Sequence, residues 1–416
     1  MHRALTVKNA AVIRWDGALK SGLPAGRWLR ASCGAVHRIY CDYNATTPMD
    51  PSVRDVLVST LDRAWANPSS IHLAGRQARE VLDDARYRMA KVWQCRPSEV
   101  VFTSGGTEAN NLAILGTARL NRHRGRHLVT STVEHHAVLH ACDYLERHEG
   151  FEVTRVRVDP DGRVDPADVA RALRPDTILV SVMTANNEVG TVQPVAEIGS
   201  LCRGRGVIFH TDAVQAMGKL PFTGMPSFEA DLVAVCAHKF HGPKGAGALY
   251  VRSPLLPHPI LHGGGHENER RAGTENVAAW VGLVAAFERF VPEPVFDPAR
   301  LRTLTERLAG AATSIPGVHR RGPVEGRLSN TLSFSVERAD AIVLLANLDL
   351  EGVCASSGSA CSAGSLEPSH VLQAMGVPFA ECQALVRFSL GRENTEEEIQ
   401  RIIELLPEVV RRSRGG

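Results

Sequence analysis

Six of the 47 basic side chains are lysines: Lys8, Lys20, Lys91, Lys219, Lys239 and Lys244. A reaction that needs a nucleophilic amine therefore has few candidates here. Lys239 stands out because it follows the apolar run Asp231-Leu-Val-Ala-Val235, in Cys236-Ala237-His238-Lys239. A lysine desolvated at a strand end, near other cations, is an amine nucleophile. Lys244 lies in a Gly/Pro turn and is expected to face water.

Other apolar runs end in groups that such an amine could use. Glu99-Val-Val-Phe-Thr103 leads into Ser104-Gly105-Gly106-Thr107-Glu108, where two glycines and a hydroxyl could let backbone N–H groups approach a phosphate. The spacing is that of neither a P-loop nor the GxGxxG dinucleotide fingerprint. His127-Leu-Val-Thr130 precedes Glu134-His135-His136, and Thr177–Met183 precedes the two amides of Ala185-Asn186-Asn187-Glu188. Gly206-Val-Ile-Phe-His210 runs into Thr211-Asp212-Ala213-Val214-Gln215. An acid at the end of an apolar strand is costly unless it meets a cation. Each piece alone has a plain alternative: a Gly-rich βα turn, a surface histidine, an Asp N-cap. Together, a phosphate cradle, an aromatic His, an acid, a Gln and a lysine on successive strand ends are what a pyridoxal phosphate site needs.

The elements that must position these groups alternate. β-branched runs, closing with Ala248-Leu-Tyr-Val251, are separated by helical spacing at Thr107–Leu120 and Val195–Arg205. Continuous apolar strands between helices predict a mostly parallel sheet covered on both faces, with ligands bound beyond the strand ends. Pro292, Pro294 and Pro298 mark a boundary. Beyond it the pattern predicts a helix over Pro298–Ala312, a strand over Leu328–Val336, a helix over Ala339–Glu351 and a terminal helix over Thr395–Arg412: a large α/β domain followed by a smaller α+β domain.

The chain resembles the cysteine desulfurases, class-V aminotransferase-like enzymes of fold type I, and most of all their nitrogen-fixation-type (NifS/IscS-like) members. The matching segments include Tyr40–Pro48, Asn67-Pro-Ser-Ser70, Thr103–Asn111, Glu134–Val138, Asn186-Asn187-Glu188, Thr211–Gln215, His238-Lys239, Arg270–Asn276, Ser356–Ser369 and Arg387-Phe388-Ser389, within roughly residues 39–412. The resemblance implies a pyridoxal phosphate enzyme with a seven-stranded type of sheet. It implies a large domain over 49–293, and a small domain built from 39–48 and 294–416. Lys239 would bind the cofactor's aldehyde and move the substrate's Cα proton, and Asp212 would pair with the ring nitrogen. His135 would stack on the ring and assist proton transfer, while Gln215 and Asn187 would bond its hydroxyl. Gly106, Thr107 and His238 would hold the phosphate. Thr274 would reach the phosphate of a neighbouring subunit in a homodimer, and Arg387 would clamp the substrate carboxylate. Cys236 stands where many relatives carry a phosphate-binding serine, and a thiol is the weaker donor.

Ala355-Ser-Ser-Gly-Ser-Ala-Cys361-Ser-Ala-Gly-Ser365 sets one thiol among small residues. Alone it reads as a linker. Beside the cofactor site it reads as the loop, 355–365, whose Cys361 takes sulfur from L-cysteine as a persulfide and releases L-alanine. The same fold would serve a selenocysteine lyase, another aminotransferase or lyase, or a non-enzymatic sulfur carrier. The Cys361 loop favours the desulfurase over transamination, which needs no thiol. The joint presence of Lys239, Asp212, His135 and Cys361 disfavours the carrier. A sulfur-acceptor or iron–sulfur scaffold protein is the expected partner.

Composition agrees with a soluble enzyme. The 416 residues are 44% hydrophobic and 22% charged, with a formal net charge of +2, so neither disorder nor a nucleic-acid partner is indicated. No apolar run reaches the roughly 18 residues of a membrane span. The nine cysteines are odd in number and form no CxxC, which argues against a disulfide framework or a metal site and for a cytoplasmic protein with reduced thiols. Residues 1–38, rich in arginine, lie outside the resemblance and are expected to be a disordered extension.

Overall fold

The computed structural model describes residues 38–358 and 368–414. The extension at 1–37 and the segment 359–367, with Cys361, lie outside the described residues.

Strand β1 (Ile39–Tyr40) precedes the strands of the main sheet: β2 (Val100–Thr103), β3 (His127–Ser131), β4 (Glu152–Val156), β5 (Thr177–Ser181), β6 (Ile208–Asp212), β7 (Leu232–Cys236) and β8 (Gly247–Val251). Their order across this seven-stranded sheet is β2-β8-β7-β6-β5-β3-β4. Neighbouring strands from β7 to β4 run parallel, and β8 pairs antiparallel with both β7 and β2. Both faces are buried, as the apolar runs predict. Along β7, Val233 and Val235 enter one core with Trp93, Trp280 and Phe287. Leu232 and Ala234 point the other way, into a core with Ala113, Val138 and Cys142. The helix Val277–Phe290, apolar on nearly every side, is accordingly buried.

Two departures from the sequence reading are local. Strand β4 escapes a search for apolar runs because it is an edge strand, with Glu152 exposed and Val153 to Arg155 half-buried. The helix expected over Thr107–Leu120 is three pieces, Gly106–Asn111, a π-helical turn Leu112–Gly116, and Thr117–Asn121. π-Turns inside helices often sit beside functional sites.

The C-terminal elements build a second, antiparallel sheet from β9 (Val318–Arg321), β10 (Thr331–Val336) and β12 (Leu385–Ser389), in the order β12-β10-β9. Strand β11 (Val353–Cys354) pairs in parallel with β1. Ile39, Cys41 and Tyr43 therefore pack with Leu332, Phe334, Phe388, Ile399 and Leu406 rather than with the large sheet. The segment after β1 is pinned by Ser389, whose N–H donates to Cys41 O at 2.8 Å and whose Oγ accepts from Asn44 N at 2.9 Å. This carries Asn44 and Ala45 to the edge of the main sheet, where the site lies.

Candidate active site

A cavity of about 250 Å³ opens at the carboxyl ends of the main-sheet strands. Gly106, Thr107, His135, Asn187, Asp212, Gln215, His238, Lys239 and Arg387 all line it, with Asn44, Asn110, Cys236 and Gly358. The residues at the main-sheet strand ends meet there because parallel strands end at one edge, while Asn44 arrives with the segment after β1 and Arg387 on β12. Thr274 is not among them. It is exposed, in the loop before Val277–Phe290, and does not line the cavity of its own chain.

Asp212 is the last residue of β6 and only 5% exposed. Its Oδ2 accepts from Asn110 Nδ2 at 2.7 Å and its Oδ1 from Val214 N at 2.9 Å. No helix follows it, so the N-cap alternative falls away. Its carboxylate caps a turn and faces the cavity.

Lys239 closes a short 3-10 turn after β7. Its Nζ donates to Asn44 O at 2.6 Å and Ala45 O at 2.8 Å. Burial pulls its pKa below the ordinary lysine value, and Arg387 acts in the same direction against Cys236, Asp42 and Asp212. The amine is thus neutral at a lower pH than a surface lysine. Burial pushes the neighbouring Cys236 thiol up to about 11, so it stays protonated at neutral pH.

His135 caps the helix His136–His148, and its Nδ1 accepts from Ala137 N at 3.1 Å. An occupied Nδ1 lone pair puts the proton of the neutral ring on Nε2. Burial, partly opposed by Asp212, lowers the His135 pKa and keeps the ring neutral. His238 is likewise lowered, to about 4, by burial and by Lys239, Lys244 and Lys219. Its Nδ1 lies 3.2 Å from Thr46 Oγ1.

Arg387, on β12, is 1% exposed. Its Nη2 donates to Asp42 Oδ1 at 2.7 Å, and its Nη1 donates to Asn187 O at 2.8 Å and Gly358 O at 2.5 Å. Its buried Nε has no partner among the described residues. Both flanks of 359–367 reach Glu188, just beyond the two amides. Ser369 Oγ donates to Glu188 Oε2 at 2.5 Å, and a Cβ on Gly358, where φ is +93°, would lie 2.9 Å from the same oxygen.

Three further residues shape the site. Asn110 sits three residues after Thr107 on the same helical face. Asn44 accepts from Lys239 through its carbonyl. Lys219, 2% exposed, donates to Asn44 Oδ1 at 2.8 Å and Gln215 Oε1 at 2.5 Å. The scarcity of lysine was the one sequence signal for Lys219.

Residues 39–402 match the model of the aminotransferase class-V family. The chain is 44% identical over 377 residues to the cysteine desulfurase IscS of Dictyoglomus turgidum, covering 90% of this chain and 95% of that one. Among solved structures it is similar to a NifS-like protein, with a TM-score of 0.83 and 36% identity over 90% of this chain and 99% of the other. It is also similar to SspA in complex with cysteine, with a TM-score of 0.75 and 35% identity over 86% and 99% of the two chains.

Proposed function

We propose, from the premise that this chain belongs to the aminotransferase class-V family, that it is a pyridoxal-phosphate-dependent cysteine desulfurase. The observation that carries this reading is the meeting of Lys239, Asp212, His135 and Arg387 in one cavity at the strand ends. These residues fit the cofactor. A buried carboxylate suits a ring nitrogen, and a desolvated amine suits an aldehyde. The backbone at Gly106 runs so close to the cavity wall that a Cβ there would meet Val214 Cγ2 at 2.8 Å. When bound, pyridoxal phosphate supplies an electron sink that acidifies the substrate's Cα–H and weakens its hold on sulfur.

The chain's own residues supply the rest. Lys239 takes and returns the Cα proton, and its lowered pKa makes the neutral amine available. Asp212 holds a negative charge against the ring nitrogen, and neutral His135 covers the ring and can donate from Nε2. Gln215 and Asn187 hold the ring hydroxyl. Thr107, His238 and the backbone at Gly106 hold the phosphate, with Cys236 as a weaker donor. Arg387 exchanges its protein acceptors for the substrate carboxylate, which matches the guanidinium fork. Asn187 borders the same position.

Cys361 accepts the sulfur. Its thiolate attacks the sulfur of L-cysteine, the Cβ–S bond breaks, and an S–S bond forms. The bonding pair stays on Cβ, which takes up a proton to become the methyl of L-alanine. That proton balances the one Cys361 lost in forming its thiolate, and the sulfur is oxidised to sulfane sulfur on the enzyme. Cys361 is three residues from Gly358, which lines the cavity, and three residues of chain reach at most about 11 Å. The persulfide then supplies a sulfur-acceptor or scaffold protein for iron–sulfur cluster assembly or another thiolation.

Exposed apolar side chains at Trp65, Ile71 and Leu73 support a homodimer, in which Thr274 serves the partner's cofactor. No helix among the described residues is long and apolar enough to cross a membrane. The seven described cysteines are free, which supports a reducing, cytoplasmic setting.

The test is the visible spectrum of the purified protein before and after added pyridoxal phosphate. A yellow protein that borohydride bleaches while leaving the cofactor covalently attached, and a Lys239→Ala variant from which the cofactor still washes out after the same treatment, are expected. A protein that stays colourless after reconstitution would overturn the reading.

A further inference from the structure

Lys219 has no role in the chemistry above, yet it is one of the largest fully buried side chains in the protein. Its Nζ stands 5.2 Å from the centre of the Phe296 ring, and both its hydrogen bonds go to side-chain amide oxygens, Gln215 Oε1 at 2.5 Å and Asn44 Oδ1 at 2.8 Å. Burying an amine on amide oxygens rather than a carboxylate is expensive. Burial, with Lys239 and Arg387 nearby, pulls its pKa well below the ordinary value. Protonated or neutral, the amine keeps enough N–H bonds to donate both contacts.

We infer that Lys219 is a positioning residue that fixes the amide of Gln215 with its NH2 group, not its oxygen, towards the cavity. An amide can present either end, and its neighbours decide which. Lys219 claims Oε1. The opposite end, Nε2, donates to Asn44 O at 2.9 Å, which leaves its second N–H for a ligand. The same amine donates to Asn44 Oδ1, which also accepts from Asn330 Nδ2 at 3.1 Å. Together they turn the Asn44 NH2 group towards Thr331 Oγ1 at 2.8 Å and Asn187 O at 3.2 Å. Asn44 O in turn accepts from Lys239. One buried amine thus bonds the oxygen of both amides between the amine nucleophile and the cofactor's ring oxygen, and it is the only donor to Gln215 Oε1 among the described residues.

The inference rests on the pyridoxal phosphate reading. There, the second N–H of Gln215 meets the ring oxygen and lowers its basicity. In Lys219→Met the oxygen of Gln215 loses its donor, and only the bond from Nε2 to Asn44 O still holds the amide, so its second N–H is held less firmly on the ring oxygen. The pH midpoint of the bound cofactor's visible absorbance is then expected to rise by about one unit, a tenfold change. Cofactor affinity should fall by about the same factor, the worth of one hydrogen bond to a charged group. In a Gln215→Met background the Lys219→Met change should move the midpoint no further.

An unchanged midpoint in folded, cofactor-loaded Lys219→Met would overturn the inference. So would an equal shift in the Gln215→Met background, since the effect would then bypass Gln215. Gln215→Glu tests the contact with Lys219 intact. Its carboxylate keeps an acceptor for Lys219 but can donate neither to Asn44 O nor to the ring oxygen, so the cofactor midpoint should rise with Lys219 in place, and an unchanged midpoint would contradict the assigned contact. A wild-type protein that takes up no cofactor would instead remove the reading on which the inference stands.

Discussion

Replacing Asp212 with asparagine separates the fold from the chemistry. The carboxylate accepts from Asn110 Nδ2 at 2.7 Å and Val214 N at 2.9 Å. Asparagine keeps the shape and the acceptor for Val214. Its NH2 group would confront the NH2 group of Asn110, but Asn110 Oδ1 is buried without a partner among the described residues. Asn110 can turn its amide over, accept from the new side chain, and leave no extra unpaired group. The cost to folding is then about 1–2 kcal/mol, the difference between charge-assisted and neutral hydrogen bonds at the two contacts. The cavity, in contrast, loses its buried negative charge. A hydrogen bond between charged partners is worth about 1.5–3 kcal/mol, and at 1.36 kcal/mol per tenfold that is on the order of 10–150-fold. Apoprotein melting, cofactor affinity by absorbance, and alanine release from L-cysteine measure the three quantities. Asp212→Asn should melt within a few degrees of wild type and lose that factor in affinity or turnover. Wild-type affinity and turnover would refute the placing of Asp212 against the ring nitrogen. A collapsed melting temperature would refute the amide exchange with Asn110.

Three other outcomes follow from the same geometry. Cys361→Ala should keep the cofactor's visible band and stop alanine release, and full activity would remove Cys361 from the reaction. Arg86 holds Glu267, whose side chain is 1% exposed and which also accepts from Phe102 N at 2.8 Å. Arg86→Ala leaves that carboxylate buried without its cation and should cost about 3–5 kcal/mol in denaturant unfolding. Burial raises the Glu134 carboxyl to about 8, with only Ser131 Oγ and Met183 N as donors to its side chain among the described residues. A folded pKa above the unfolded one gives stability that is full below the unfolded value, near 4.3, and is lost as pH rises through about 8. Glu134→Gln, locked in the neutral form, should therefore gain on wild type in melting temperature as pH rises from 5 to 8, and a constant difference would contradict the assignment.

Much of this site is written in strand ends. Asp212, Lys239 and His135 lie at or just beyond the ends of largely buried strands with apolar stretches, and in a parallel sheet such strands end at one edge, so their convergence is legible from order alone. Arg387 is not legible that way. It sits inside β12 with no local mark, and only likeness to a family singles it out. Asn44 is hidden for another reason. Its place depends on β1 returning to pair with β11, more than three hundred residues away, and on Ser389 pinning the chain. Lys219 looks like a surface residue of a Gly-rich turn until the tertiary packing of Phe296 closes over it. The edge strand β4 lacks an apolar face because only one side of it needs burial. In each case the missing information is a long-range contact, which no local pattern contains.

The central claim is that this cavity removes sulfur from L-cysteine. It is tested most directly by incubating the cofactor-loaded protein with L-cysteine and a reductant, then measuring alanine and sulfide together. The account predicts both products, one to one, from wild type. Pyruvate or a transaminated acid without sulfide would contradict it.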